Sequence, residues 1–143
     1  NRKNGMLAGL STGNIRILDI QHAEWTAGEA RIITQQWLQE FPQIDVIMTG
    51  GGDLGLGVVE ELKAQAKQNV PAVTSFDVYP QIQQAIQMGD IVVTADQRLS
   101  VQGQLGVQLL LRSLEYGENL PNIVHVPDIQ LLTLDNNMGE ESP

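Results

Sequence analysis

Three observations predict an α/β fold: a parallel sheet with helices on both faces. Five short apolar runs are spaced along the 143-residue chain, stretches of helical period separate them, and most of the runs lack polar alternation. Strands covered on both faces read as continuous Val- and Ile-rich segments, as in a parallel sheet. Alternating strands and helices imply right-handed crossovers, and such sheets bind ligands beyond the carboxyl ends of their strands.

The first run, IRILDI (15–20), leads into the polar loop QHAEW (21–25). A helix is expected over Ala27–Phe41, where Ala30, Ile33, Trp37 and Phe41 share one face. IDVIMT (44–49) is the second strand and runs into GGGD (50–53). The next helix spans Asp53–Lys67, with Asp53 as N-cap and Leu54, Val58, Leu62 and Ala66 along its buried stripe. PAVTSF (71–76) is the third strand and ends against Asp77. Pro80 and Gly89 bracket the short helix QIQQAIQM. DIVVTA (90–95) is the fourth strand and leads into DQR (96–98). From Leu99 to Tyr116, Val107, Leu110, Leu111 and Leu114 form a stripe that Gly117 ends. IQLLTL (129–134) is the last strand.

Composition narrows the function. A net charge of −9, with 8 scattered Lys and Arg, repels phosphate backbones, so no nucleic acid partner is expected for this portion. No apolar run is long enough to span a bilayer. There is no cysteine, and His22 and His125 lack ligand-spaced partners, so no metal is expected. No Ser-His-Asp order, paired catalytic carboxylates or nucleophile elbow can be assembled, so no enzyme is expected, and no cofactor. The opening NRKNGML has neither an initial Met nor a signal-peptide apolar core, and reads as a chain already under way.

Four strand ends carry chemistry. Gly50, Gly52 and Gly55 form a G-x-G-x-x-G, with Asp77 placed 22 residues after Gly55 for a ribose. Asp53, however, brings negative charge to the helix N-terminus where a pyrophosphate would sit, and one such match is weak among 14 glycines. A tight strand-to-helix turn accounts for the cluster better. Trp25 either packs over the sheet edge or offers a flat apolar platform to a sugar ring. Asp77 either caps the helix near Pro80 or accepts hydrogen bonds from adjacent hydroxyls. Gln97 and Arg98 are either surface loop residues or donors to the same crevice.

Taken in order, these stretches resemble the type I periplasmic sugar-binding proteins, the ribose- and galactose-binding group. RKNGMLAGL is similar to that family's R-x-x-G-F-x-x-A-L helix. FPQIDVIMTGGGDLGLGVVEELKAQ and VTSFDVYPQIQQAIQMGDIVVTADQ resemble two of its strand–helix units, and LGVQLLLRSLEYGENLP and LLTLDN its late helix and closing strand. The similarity runs from Arg2 to Asn136.

The resemblance implies one lobe of a two-lobed, Rossmann-like fold, incomplete at its N-terminus, that closes on a small ligand for an ABC importer or a chemoreceptor. It implies a ligand-binding lobe over 1–97, a hinge crossing and a helix of the missing lobe over 98–127, a closing strand over 128–136 and a tail over 137–143. It also implies periplasmic or lipoprotein localisation, a membrane permease as partner, and self-association of the isolated chain. Carried over by residue, Trp25 stacks on the ligand, Asp77 beside Phe76 binds hydroxyls, and Gln97 is the polar position before the hinge. Gly51, Gly52 and Asp53 form the crevice floor. Here the chain departs from the pattern, because the family's ligand-binding Asn falls at Gly51 and the following Asp at Gly52. Extra room for a bulkier or substituted ligand is expected, or substitution of the lost side chains by backbone N–H groups. The effector-binding core of a LacI-type regulator shares the fold and is the alternative function.

Overall fold

The computed structural model describes residues 2–65, 69–126 and 129–136. Its elements are α1 (Arg2–Leu10), α2 (Ala27–Glu40), β1 (Val46–Met48), α3 (Gly52–Gln65), β2 (Ala72–Phe76), α4 (Pro80–Gln87), β3 (Val93–Asp96), α5 (Leu99–Tyr116) and β4 (Gln130–Leu132). The architecture is the expected α/β one, a parallel-rich sheet flanked by helices. The expected helix positions Ala66 and Lys67 lie outside the described residues, as do Pro127, Asp128 and the tail from residue 137.

Local chemistry sets the helix ends. Thr26 caps α2 by accepting a hydrogen bond from the Glu29 amide at 3.3 Å, and the Glu29 carboxylate accepts one from the Glu24 amide at 2.8 Å. Phe41, followed by Pro42, turns extended and ends the helix. Pro80 begins α4, where its missing N–H costs no helical bond.

The sheet order is β1-β2-β3-β4. β1, β2 and β3 are parallel, with Ile47 opposite Val73 and Ser75 opposite Thr94. β4 runs antiparallel to β3, with Leu131 opposite Ala95, so the sheet is mixed where an all-parallel one was expected. The chain returns to the free edge of β3 after α5 in the opposite direction, and a sheet edge accepts a strand of either sense.

The run at 15–20 departs from expectation. It pairs with no strand among the described residues, and Ile15, Ile17 and Ile20 are exposed. A strand exists only by its ladder bonds. The segment leads into Gln21 and Ala23, which line a small pocket together with Met48, Thr49 and residues of α2 and α3. The Trp37 indole of α2 tethers it, donating to Asp19 Oδ2 at 2.8 Å. That bond, together with bonds from Gln21 and the Ile20 amide, lowers the Asp19 pKa.

The core joins Ile47 and Val73 of the sheet to Val58, Val59 and Leu62 of α3 and to Ile82, Ala85 and Ile86 of α4. Buried Thr34 and Thr94 satisfy their hydroxyls on the carbonyls of Ala30 (2.7 Å) and Asp77 (2.9 Å). Along α5 no residue is buried, and the stripe of Val107, Leu110, Leu111 and Leu114 is exposed.

Candidate ligand-binding site

The carboxyl ends of β1, β2 and β3 lie side by side because these strands are parallel neighbours in register. Asp77 follows β2 directly. Its amide donates to the Ala95 carbonyl at 2.9 Å and its carbonyl accepts from Thr94 Oγ1. Pinned on both sides by β3, it adopts φ 72°, left-handed backbone that Asp tolerates better than most residues. Its Oδ1 accepts from Gln97 Nε2, and its Oδ2 lies 3.4 Å from the first amide of α3, that of Gly52. Asp77 does not cap α4: Tyr79 holds the cap position, and its side chain makes no capping bond.

Gln97 passes the network on. Its Oε1 accepts from Arg2 Nη2 at 2.9 Å, while Arg2 Nη1 donates to the Gly50 carbonyl. The Arg2 guanidinium faces two rings, at 5.4 Å from the centre of Trp25 and 5.0 Å from that of Phe76. Such cation–ring contacts are attractive through the ring quadrupole. One cation therefore joins α1, the 21–25 loop and all three strand ends. Arg2 was not among the expected site residues. Its sequence signal was the leading Arg of RKNGMLAGL, matched to the family's helix pattern without a site role, and contact with Gly50 and Gln97 is a matter of tertiary placement.

The glycine floor is built differently from expectation. A Cβ on Gly51 would meet Trp25 Cζ3 at 2.6 Å, and one on Gly52 would meet Tyr79 Cε1 and Oη at 2.6 Å. The extra room expected from these two glycines is filled by two rings. Of the backbone groups, Gly51 O accepts from Ser75 Oγ at 3.1 Å and Thr49 Oγ1 at 3.2 Å, and the Gly52 amide faces Asp77.

Asp53 is the second residue of α3 rather than its cap, and it accepts from the Tyr79 hydroxyl at 2.6 Å. Burial first, then the Asp53 bond and the charges of Asp53 and Asp77, raise the Tyr79 pKa above its ordinary value. Arg98 stands at the start of α5 with its amide bonded to Asp96 Oδ1, outside this network. No cluster of metal-ligating side chains occurs among the described residues.

The assembled surface brings together two aromatic rings, a carboxylate, a carboxamide and a guanidinium at the ends of β1, β2 and β3. That set fits an uncharged ring bearing hydroxyl groups, since each hydroxyl both donates and accepts.

The chain is 23% identical over 113 residues to the D-ribose/D-allose-binding protein of Pseudomonas aeruginosa, spanning 79% of this chain and 35% of that one. It is 30% identical over 95 residues to the xylitol-binding protein of Mycolicibacterium smegmatis, spanning 66% and 27% respectively. The fold superimposes with a TM-score of 0.89 on an ABC transporter periplasmic solute-binding protein of Actinobacillus succinogenes crystallised with D-allose, at 21% identity. That match covers 95% of this chain and 47% of the other. The chain thus spans about a third of the length of these curated relatives and about half of that structure. Residues 1–119 match the model of the periplasmic binding protein domain, and the chain belongs to that family.

Proposed function

We propose that this crevice captures a small carbohydrate-like ligand in the periplasm, for delivery to the permease of an ABC importer or presentation to a chemoreceptor. The observation that carries the proposal is the Asp77–Gln97–Arg2 network set beside the faces of Trp25 and Phe76. Trp25 is 63% exposed, so its indole has surface left to offer a sugar ring. The ligand is bound and released without being transformed. The open stripe of α5 then packs on a second lobe, reached by a crossing near Gln97, that closes over the ligand. The relatives are named for solute binding, which favours this role over the effector-binding core of a regulator.

The test is Asp77→Ala in the full-length protein, followed by calorimetric titration with D-allose, D-ribose and xylitol. A charge-assisted hydrogen bond contributes about 1.5–3 kcal/mol, so affinity should fall at least about tenfold. Unchanged affinity in the variant, or no binding of these polyols by the parent protein, refutes the proposal.

A further inference from the structure

The loop from β2 to α4 brings a second side chain to the glycine turn. Tyr79 holds the cap position of α4 in extended backbone, the conformation that Pro80 behind it favours. Its half-buried ring lies over Gly52, where a Cβ would meet Cε1 and Oη at 2.6 Å. The phenol therefore occupies the space that a side chain at residue 52 would take. The Gly52 amide also faces Asp77 Oδ2 at 3.4 Å, so the phenol and the Asp77 carboxylate share one neighbour. A phenol oxygen has one proton to give and lone pairs to accept with. The proton goes to Asp53 Oδ1 at 2.6 Å, the short distance of a bond to a charged acceptor. Burial, that bond and the charges of Asp53 and Asp77 raise the Tyr79 pKa and keep the proton in place. Donation to a carboxylate polarises the oxygen and strengthens any bond it accepts. Among the described residues no donor reaches it.

From this, and resting on the carbohydrate reading above, we propose that Tyr79 is a specificity-determining residue of the crevice. Its oxygen accepts a hydrogen bond from one ligand hydroxyl, in place of the side chain absent at Gly52. Asp53 acts through it as a positioning residue, taking the phenol proton and so fixing the oxygen as an acceptor. Positions 52 and 79 are coupled, because any side chain at 52 would displace the phenol.

The experiment compares the full-length protein with its Tyr79→Phe variant by calorimetric titration and thermal melting. The probe is whichever of D-allose, D-ribose and xylitol the parent protein binds most tightly, beside its complete set of single-deoxy derivatives. Phe keeps the ring over Gly52 and removes only the oxygen. Affinity for the probe should fall roughly threefold to tenfold, the effect of one uncharged hydrogen bond. The deoxy derivative that lacks the hydroxyl held by Tyr79 should bind parent and variant alike, whereas the others keep the full loss. A lowered melting temperature with probe affinity unchanged makes Tyr79 a structural anchor and overturns the proposal. An equal loss for every derivative overturns it too, and in both cases the carbohydrate reading stands. If the parent protein binds none of the three, the carbohydrate reading falls, and this proposal with it.

Discussion

At Asp77 a single residue joins backbone strain to a displayed carboxylate. Its φ of 72° is held by bonds from its amide and carbonyl to β3. Left-handed backbone costs an ordinary L-residue about 1–2 kcal/mol, and glycine avoids that cost but loses about 0.5–1 kcal/mol in chain entropy. Asp77→Gly should therefore melt within about 1 kcal/mol of the parent while binding collapses. Denaturant titration beside calorimetry checks it, and a large loss of stability would mean that the carboxylate chiefly holds the fold.

Tyr79 makes a separate prediction. Its pKa is raised in the fold above the ordinary value of 10.0, so below that value the phenol is neutral in both states and its contribution is fully present. As pH rises through the window above 10.0, the unfolded chain ionises first and that stability is lost. Tyr79→Phe should lack this alkaline loss, and melts recorded across that range against the parent protein would reveal it. Parallel pH profiles for the two proteins would show that Tyr79 is not shielded.

Between elements, the close contact is that of α2 with α3. Gly57 lies against the backbone of Ala27, so a methyl group there has rigid peptide to displace rather than a flexible side chain. Gly57→Ala should destabilise by about 1–3 kcal/mol through overpacking. Ile86, fully buried in α4, should cost about 2–5 kcal/mol as Ile86→Ala through the cavity left behind. Chemical denaturation measures both, and a neutral Gly57→Ala would show that α2 slides freely on α3. The apolar periodicity of α2 and α3 was legible in the sequence, whereas α4 was legible from Pro80 and Gly89 at its ends. Thr34 escaped that pattern because its hydroxyl is satisfied within its own helix, allowing a polar residue to be buried at no loss.

For the whole molecule, both outer edges of the sheet, on β1 and on β4, and the apolar stripe of α5 lack partners among the described residues. Unpaired edges and contiguous apolar faces drive association. The 143-residue chain by itself should self-associate with rising concentration, despite its charge of −9. Light scattering over a concentration series tests this, and a persistent monomer at high concentration contradicts it.

The sequence by itself determined the alternation of strand and helix, the parallel core of β1 to β3 and the strand ends where chemistry gathers, because periodicity and turn residues are local properties. It also pointed to Phe76, Asp77 and Gln97, since residues at the ends of parallel strands must lie along one rim, and to Trp25 as the aromatic of the polar loop after 15–20. Only the tertiary structure decided the rest. The run at 15–20 has the apolar composition of a strand yet no ladder among the described residues, because pairing depends on what lies beside it in space. Arg2 enters the crevice through contacts with residues 48 and 95 positions away, which no spacing rule reaches. The vacancies expected at Gly51 and Gly52 are filled by Trp25 and Tyr79 because the rings that complement a missing side chain come from other loops, and packing alone brings them there.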